Sequence, residues 1–505
     1  MRNRRDVLRA GARIAAGGMA AGLLGPAPAA ALRRAVPDRS AWRSLRRALS
    51  PAARLHRPDD TGYAKLALPQ NLRYADLRPA GIVSCATERD VQAALRWAVE
   101  HGMPLTPRSG GHNYAGHSTT PGLLIDLRRI SEVFPHGDRL AVGGGATNSD
   151  VYRAGVGGTG LYFPGGRCPG VGVAGLTLGG GLGFNDRKWG LSCDRLVETR
   201  LVLADGTLVR ASEKENADLF WACRGGAGGN FGINTAFVFD AVRVDRQVST
   251  VFDFSFAPHH GVTLMEMLRE LLQRDHTGDL DVRVGFSHPG RGLPSIALLG
   301  QCLGDEDRLR RLMAPMLSLG PDKRLIEQRG FWAAQKHLAM EERPEAMASK
   351  SLVPDRWPTS QAVAAVTDWI RYWKPDVPGA SGHVTLFAMG GATASVSSAE
   401  TAFPHRQATF VIDIGASWAS KASAESVDRM LRRLDTVYRL LCHDLRTTAA
   451  YVNFPDPDLV GWHDAYYGPN YDRLLKVKEH CDPGGVLRYA QGIGSPLSAP
   501  ASALP

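Results

Sequence analysis

The sequence reads Arg108-Ser109-Gly110-Gly111-His112 and, further along, Gly166-Arg167-Cys168-Pro169-Gly170-Val171-Gly172-Val173-Ala174-Gly175. Each stretch holds one reactive side chain, His112 or Cys168, among glycines. Because glycine has no Cβ, the backbone at such places can approach a large flat or phosphorylated ligand closely. An imidazole and a thiol on either side of one ligand could both bond to it covalently. The two stretches therefore indicate a candidate site for a permanently attached cofactor.

Glycine remains dense between residues 141 and 190. A low-complexity linker is the alternative interpretation, but apolar residues interleave with the glycines, so we expect the segment to pack and to be ordered. Neither a Rossmann fingerprint nor a Walker-type loop is present. The glycines therefore indicate phosphate binding by backbone N–H groups in another setting. Arg108 and Ser109 would add donors, unless the turn simply carries a surface arginine.

Around the first glycine stretch, the pattern predicts one helix and two strands. We expect regular structure from about Ile82 onward, after a basic lead. Thr87 and Asp90 have the spacing of a helix capping box, and apolar residues then recur on one helical face as far as Gly102. Residues 104–107 and 123–127 are predicted to be strands on either side of the turn.

The pattern of apolar residues differs in later parts of the chain. Residues 201–209 carry Asp205-Gly206 between two apolar runs, which predicts a β-hairpin. Beyond residue 250, helical runs alternate with strand-like runs, which predicts an α+β region with an antiparallel sheet backed by helices. The runs are 262–274 and 427–442 (helical) and 295–303 and 408–414 (strand-like).

Near the C-terminus, Ala450-Tyr451-Val452-Asn453-Phe454 predicts a strand. An aromatic loop and a short amphipathic helix that ends before Pro483 are expected to follow. From Pro496 onward the small residues predict a disordered tail.

Composition and charge exclude several classes of protein. A chain of 505 residues should hold two or three structural units. Nearly all of the net charge of +10 lies in residues 1–55, and no basic stripe with interleaved aromatic residues suggests nucleic-acid binding. No apolar run reaches the roughly 20 residues of a stable membrane span. The seven cysteines are few for a disulfide-dense scaffold, and none has zinc-site spacing, so no metal is expected.

The N-terminus reads as an export signal. Arg4-Arg5 precedes an apolar, glycine-rich stretch at residues 10–24, and residues 27–29 and 29–31 offer small-x-small cleavage sites. The paired arginines resemble a twin-arginine (Tat) signal. We therefore expect the Tat export machinery as a partner and a periplasmic or extracellular location. A merely basic Sec signal, or an untranslocated tail, is the alternative.

The sequences around His112 and Cys168, together with residues 221–233, resemble those of the berberine-bridge-enzyme-like FAD-linked oxidases, within the vanillyl-alcohol-oxidase or PCMH-type FAD-binding superfamily. The resemblance returns at the C-terminus and is weak in the middle. It implies an α+β fold with a two-part PCMH-type FAD-binding domain and a substrate domain. The expected division is 1–31 signal peptide, 32–74 lead segment, 75–245 FAD-binding domain, 246–445 substrate-binding domain, 446–493 C-terminal segment returning to the flavin domain and 494–505 disordered tail.

The resemblance also implies how FAD would be held. His112 would bond to the 8α-methyl group of the flavin and Cys168 to its carbon 6, making the attachment bicovalent. The implied pyrophosphate-lining residues are Arg108, Ser109, Gly110, Gly111, Gly116 and Ser118. The residues implied to contact the rest of the dinucleotide are Val173, Gly175, Asn230, Gly232 and Ile233. Two electron-withdrawing bonds should raise the reduction potential of the flavin and keep it attached after export.

Four further residues would take part in the reaction at the flavin ring. Tyr451 would be the catalytic base, unless it is a buried structural tyrosine, and Asn453 would bond the ring. The base must accept the alcohol proton as hydride leaves carbon, and a phenol with a pKa near 10 needs a charged neighbour to do so. We choose Asp413, although a solvated strand acid is an equal alternative. Val171, a small residue three positions after the cysteine, implies room for oxygen.

We therefore predict an exported FAD-linked oxidase. It would transfer a hydride from an alcohol or hemiacetal carbon of an oligosaccharide or secondary metabolite to the flavin, and O2 would reoxidise the flavin and yield hydrogen peroxide. The alternatives are a dehydrogenase with another acceptor and a non-catalytic scaffold. Some members of the family form carbon–carbon bonds, so that reaction is a further possibility.

Overall fold

The computed structural model describes residues 37–340, 343–375, 377–419 and 421–496. The expected signal peptide, residues 1–31, lies outside these residues, as does the tail from residue 497 onward. None of the described helices is long and apolar enough to cross a membrane.

The strands lie in three main sheets and one short pair. In chain order they are β1 Arg54–His56, β2 Gly81–Ser84, β3 Leu105–Arg108, β4 Leu123–Asp126, β5 Val133–His136, β6 Arg139–Gly143, β7 Leu161–Tyr162, β8 Leu196–Val202, β9 Leu208–Ser212, β10 Ile233–Asp240, β11 Val242–Arg243, β12 Val248–Phe256, β13 Leu280–His288, β14 Ser295–Leu303, β15 Lys323–Gly330, β16 Ala346–Leu352, β17 Ser381–Ala388 and β18 Phe410–Trp418.

The α-helices cover or connect these sheets. They are α1 Arg39–Ala48, α2 Tyr63–Ala67, α3 Glu88–Glu100, α4 Asn148–Ala154, α5 Val173–Leu178, α6 Asp186–Trp189, α7 Ala217–Ala222, α8 Gly261–Arg274, α9 Glu306–Leu317, α10 Phe331–Leu338, α11 Ser360–Arg371, α12 Ala424–Leu445, α13 Trp462–Tyr467 and α14 Tyr471–Cys481.

The first sheet has the order β1-β2-β4-β3, with β2, β4 and β3 parallel and β1 antiparallel at the edge. Helix α3 connects β2 to β3, as a parallel pair requires. Its predicted capping box is present: the Asp90 N–H donates to Thr87 Oγ1 (3.3 Å), and the Thr87 N–H donates to Asp90 Oδ2 (2.9 Å). Because β3 ends at Arg108, the first glycine stretch begins directly at the end of this strand.

Regular structure begins earlier than the sequence analysis expected. The lead contains α1, β1 and α2, and helix α1 starts at the N-cap Asp38, which accepts the Ala41 N–H at 2.8 Å. Trp42 of α1 is buried and packs on Trp97 of α3 with ring centroids 4.6 Å apart. The expectation of an irregular lead was wrong. Helix α1 has only a narrow apolar face among many arginines, so the sequence showed no clear helical pattern.

The second sheet is antiparallel, in the order β5-β6-β10-β8-β9. Strands β8 and β9 form the predicted hairpin, and Gly206 takes the positive φ (83°) of its turn. Residues Gly232 and Ile233 stand at the start of β10, so this sheet brings a second glycine-rich connection toward the glycine stretches.

The third sheet is antiparallel and confirms the α+β expectation. Its order is β15-β12-β14-β13-β17-β18-β16. One face packs against α8, α9, α11 and α12 in the largest apolar core of the described residues. Strand β13 alternates accordingly: Val282 and Val284 lie in that core, whereas Asp281 and Arg283 lie on the opposite face. Around β13, β17 and β18 this opposite face carries polar side chains, and Asp281, Arg283 and Asp413 among them are buried.

The C-terminal segment differs from the prediction in two respects, one of which is that helix α13 lies within the expected aromatic loop. Residues 450–454 form a turn rather than a strand, because the Tyr451 N–H donates to Ser351 Oγ (2.9 Å) and the Phe454 N–H donates back to the Tyr451 carbonyl (2.9 Å). The predicted amphipathic helix is α14, which ends at Cys481. Its buried Lys478 donates to the carbonyl oxygens of Asn230 and Leu487, which ties this segment to the glycine-rich part of the chain.

Candidate functional site

A cavity of about 850 Å³ lies where the two glycine stretches meet the polar face of the third sheet. This volume is at the upper end of the roughly 300–1,000 Å³ found for ligand pockets. His112 and Cys168 both line the cavity, and so do Tyr451, Asn453 and Asp413. The structure therefore brings together five residues from four widely separated parts of the sequence.

The first glycine stretch is held from behind by Arg108. The guanidinium of this residue is buried and donates to four backbone carbonyl oxygens, those of Leu66, Ala67, Leu68 and Ser118. Burial lowers the pKa of Arg108 to about 10. These four bonds fix the loop, and Arg108 also lines the cavity. Its contact with a pyrophosphate stays a prediction.

The second glycine stretch is fixed by the start of helix α4. Asn148 Nδ2 donates to the Cys168 carbonyl (3.0 Å), and the Asn148 N–H donates to the Val171 carbonyl (3.0 Å). A Cβ placed on Gly170 would lie 3.1 Å from His112 Nε2. The imidazole of one stretch thus lies against the backbone of the other, beside the cysteine.

The two stretches together offer unsatisfied donors for an anion. Ser109 Oγ is buried and has no hydrogen-bond partner among the described residues. The backbone N–H groups of Gly110 and Gly111 likewise donate to no acceptor within the described part of the chain. Because buried polar groups are almost always paired, this arrangement fits a bound phosphate-bearing group such as the FAD pyrophosphate.

Close packing of the stretches leads to a testable prediction. A Cβ on Gly172 would lie 2.3 Å from Ser109 Oγ and 2.4 Å from the Gly110 nitrogen. We expect Gly172→Ala to push the stretches apart, to destabilise the protein by roughly 1–3 kcal/mol, and to lower the flavin-to-protein absorbance ratio at least about threefold. Gly165→Ala is the control, because the nearest atom to its Cβ would be 3.4 Å away. Equal flavin content in the two variants would contradict the prediction.

The remaining predicted cofactor residues divide into two groups. Of the described residues, Ser118, Gly175, Gly232 and Ile233 line the cavity, as Ser109, Gly110 and Gly111 do. Gly116, Val173 and Asn230 do not.

The reasons for these three exceptions are visible in the packing. Gly116 packs against the Tyr74 ring, and Val173 is fully buried in an apolar core. The Asn230 amide is used by Gly226, Tyr489 and Ile493. These residues support the site rather than face it.

Tyr451 has an unusual hydrogen-bonding environment. Its buried phenol oxygen accepts N–H groups from Gly181 (3.1 Å), Leu182 (3.2 Å) and the Asn453 amide (3.1 Å). A neutral hydroxyl has two lone pairs for accepting, so three donors match a phenolate better than a phenol. Burial nevertheless raises the pKa of Tyr451 to about 12, although the three donors act to lower it. The site therefore stabilises a negative charge at this oxygen without holding it ionised at neutral pH.

Asp413 lies on the cavity wall but does not bond to Tyr451. Its Oδ1 accepts the Ser349 hydroxyl (2.5 Å), and its Oδ2 lies 3.2 Å from His383 Nε2. The charged group that bears on the Tyr451 pKa is Asp186 instead. The expectation that Asp413 acts on the phenol is therefore not supported by a contact. Val171, the expected oxygen-gate residue, also lines the cavity.

Sequence reasoning missed Arg283 of β13 and His383 of β17, which both line the cavity. A signal was present in β13, where polar and apolar residues alternate from Leu280 to Ser287. Alternation indicates two different faces, but it does not tell whether the polar face meets solvent or a cavity. The weakly matched middle of the chain offered no motif to decide this.

Comparisons with known proteins agree with this site. A family model described as an FAD binding domain matches residues 79–212, and one described as berberine and berberine like matches residues 450–494. The uncharacterized FAD-linked oxidoreductase YgaK of Bacillus subtilis (strain 168) is 32% identical over 451 residues, which are 86% of this chain and 95% of that protein.

Two further relatives match over most of their length. A xylooligosaccharide oxidase of Thermothelomyces thermophilus is 29% identical over 448 residues, covering 82% of this chain and 87% of that protein. The solved structure of Physcomitrella patens BBE-like 1 superimposes with a TM-score of 0.79 at 26% identity, covering 91% of this chain and 99% of that one. The two family models together cover both glycine stretches and the turn that carries Tyr451.

Proposed function

Because the chain belongs to the berberine-bridge-enzyme-like FAD-linked oxidoreductases, we propose that it is an exported oxidase with FAD attached through both His112 and Cys168. Its substrate would be an alcohol or hemiacetal carbon of an oligosaccharide or a secondary metabolite. The acceptor would be O2 and the second product hydrogen peroxide. The observation that carries this proposal is the convergence of His112, Cys168 and the triply hydrogen-bonded Tyr451 on one cavity.

Binding of FAD is supported by the chemistry of the glycine stretches. The Ser109 hydroxyl and the N–H groups of Gly110 and Gly111 would hold the pyrophosphate, and Gly175, Gly232 and Ile233 would contact other parts of the dinucleotide. Bound FAD would supply a hydride acceptor, a chemistry that no side chain offers. Residues 75–245 and 446–493 would form the flavin domain, and residues 246–445 the substrate domain.

Tyr451 would accept the proton of the substrate hydroxyl. Its oxygen lies on the cavity wall, and the three donors around it would stabilise the charge that would develop if substrate oxidation leaves the phenol transiently ionised. Asn453 would therefore be a positioning residue, since it acts through the tyrosine oxygen. Asp413 and His383 line the same cavity and would orient substrate hydroxyl groups through their hydrogen bonds.

The substrate class draws support from named relatives of two kinds. One is the xylooligosaccharide oxidase, and another is a tetrahydroberberine oxidase of Berberis wilsoniae that is 28% identical over 459 residues. The polar residues that the third sheet contributes to the cavity wall favour a hydroxylated substrate. Export would follow from the twin-arginine-like sequence at residues 1–31.

A two-step experiment tests the proposal. Xylooligosaccharides and a panel of alcohols are added to the purified protein without oxygen, and the visible flavin absorbance is followed. We expect at least one compound to bleach the flavin, and admission of air to restore the colour with formation of one hydrogen peroxide per substrate. Bleaching that air does not reverse would contradict the oxidase assignment, and a colourless protein would contradict the flavoprotein assignment.

A further inference from the structure

One buried arginine on the cavity wall lacks hydrogen-bond partners. Arg283 lies on β13, on the polar face of the third sheet, and only 5% of it is exposed. Its guanidinium forms neither a hydrogen bond nor an ion pair with any residue in the described part of the chain, and its Nε is completely buried. A guanidinium has five N–H donors, and here no described residue accepts a hydrogen bond from any of them.

The other three buried arginines of the described residues all form hydrogen bonds. Arg187 donates to the carbonyl oxygens of Leu280 and Met389 and also binds the Asp275 carboxylate at 3.0 Å. Arg406 holds Asp194 in a bidentate pair at 2.7 and 2.8 Å. Arg108, as described above, uses four carbonyl oxygens. Each of these three arginines thus forms several hydrogen bonds, although the Nε of Arg406 has no partner among the described residues. Arg283 differs because its guanidinium forms none.

Two aromatic rings hold Arg283 in a fixed orientation. The guanidinium carbon lies 3.9 Å from the centre of the Phe184 ring and 4.5 Å from that of the Phe387 ring. Such contacts stabilise a cation through the faces of the guanidinium. The edge that carries the N–H groups is left for a ligand, and its orientation is set before the ligand arrives.

Nearby carboxyl groups do not use these donors. Asp281 Oδ2 accepts the Asn185 N–H, and Asp186 Oδ2 accepts the Gly183 N–H. Burial raises the pKa of Asp281 to about 6 and that of Asp186 well above its ordinary range. Burial and the charge of Arg167 lower the pKa of Arg283 to about 9, which leaves it cationic at neutral pH.

We propose that Arg283 binds a carboxylate group of the substrate, so that the enzyme oxidises alcohols or sugars that carry an acid group. The inference rests on the proposed function and names the substrate class for the same cavity. A planar guanidinium edge matches the two oxygens of a carboxylate. Arg283 and Cys168 line the same cavity, so the bound acid would share that cavity with the second glycine stretch.

Benzoate and benzamide test this proposal, because they have the same shape and differ in charge. Each is titrated into the flavin-loaded protein, and binding is followed by the change in flavin absorbance. We expect benzoate to bind at least about tenfold more tightly than benzamide, and Arg283→Met to weaken benzoate binding roughly 10- to 100-fold without affecting benzamide. Arg343→Gln is the control, since this cavity-lining arginine is exposed and its charge is screened.

Arg283→Lys keeps the charge and is expected to retain part of the preference for benzoate. Should Arg283→Met lose its flavin, the same comparison is made from the benzoate-induced rise in melting temperature, which needs no flavin. Equal binding of benzoate and benzamide to the wild type, or an unchanged preference in Arg283→Met, would overturn the inference. Preferential benzoate binding without flavin reduction by any substrate would instead defeat the proposed oxidase function and leave the carboxylate site at Arg283 standing.

Discussion

Replacing Tyr451 with Phe is expected to lower the rate of flavin reduction by roughly 10²- to 10⁴-fold, the range for loss of a general base. The substitution removes the one oxygen on which the N–H groups of Gly181, Leu182 and Asn453 converge. Stopped-flow measurement of flavin bleaching without oxygen separates this step from reoxidation. The flavin content of the variant should equal that of the wild type.

Tyr467→Phe is the matched control. Tyr467 is also completely buried, does not line the cavity, and has a hydroxyl with no hydrogen-bond partner among the described residues. Its loss should change the rate of flavin reduction less than about twofold and leave stability unchanged or improved. Equal rates for the two variants would exclude Tyr451 as the base.

The same base predicts how the reaction depends on pH. Because burial raises the pKa of Tyr451 to about 12, the phenolate fraction is small at neutral pH and grows as pH rises. The rate constant for flavin reduction should therefore increase through the alkaline range in the wild type and lose this dependence in Tyr451→Phe. Asn453→Leu removes one donor to the phenolate and should lower the rate at a given pH roughly tenfold.

Removal of both His112 and Cys168 is expected to convert a flavin that stays with the protein into one that is completely released. The wild type, precipitated in acid, should keep all its yellow colour in the pellet. His112→Ala and Cys168→Ala should each retain one bond and still keep the flavin, whereas the double variant should lose all of it to the supernatant. The intact mass of each protein provides an independent measure of attachment.

Cys442→Ala is the control for general effects of losing a thiol, since Cys442 lies on α12 and does not line the cavity. Its flavin should stay in the pellet. Complete release from either single variant would mean that the other residue forms no bond to the cofactor. Release from the wild type would reject covalent attachment altogether.

Local sequence patterns predicted those parts of the fold that depend on neighbouring residues. The capping-box residues Thr87 and Asp90 correctly predicted the start of α3, and Asp205-Gly206 correctly predicted the β8–β9 hairpin. Both predictions were possible because caps and tight turns depend on residues only a few positions apart. The family resemblance, the α+β class and the enzyme class were confirmed. The joint position of His112 and Cys168 on one cavity followed from the resemblance and not from spacing alone.

Features that depend on distant partners could not be predicted in this way. Arg108 sits in a glycine-rich turn that suggests anion binding, yet the carbonyl oxygens that use its donors come from residues 66–68 and Ser118. Tyr451 lies in an apolar run that suggests a strand, but its N–H donates to the Ser351 hydroxyl of β16 and the segment forms a turn. Arg283 becomes conspicuous only when the other buried arginines are seen to form hydrogen bonds.

The cavity needs residues from the very end of the chain, and this has a consequence for biosynthesis. Leu487, Tyr489 and Gln491 line it together with His112, and the Lys478 of α14 anchors that last segment to Asn230. At about 5–20 residues per second, a ribosome reaches Gln491 roughly 20–80 seconds after it has made His112. During this interval the glycine stretches already exist, but the C-terminal residues that complete the cavity wall have not yet been made. A cofactor can therefore be enclosed only after the segment through Gln491 has been made, so its attachment would report that this segment has folded onto the glycine stretches.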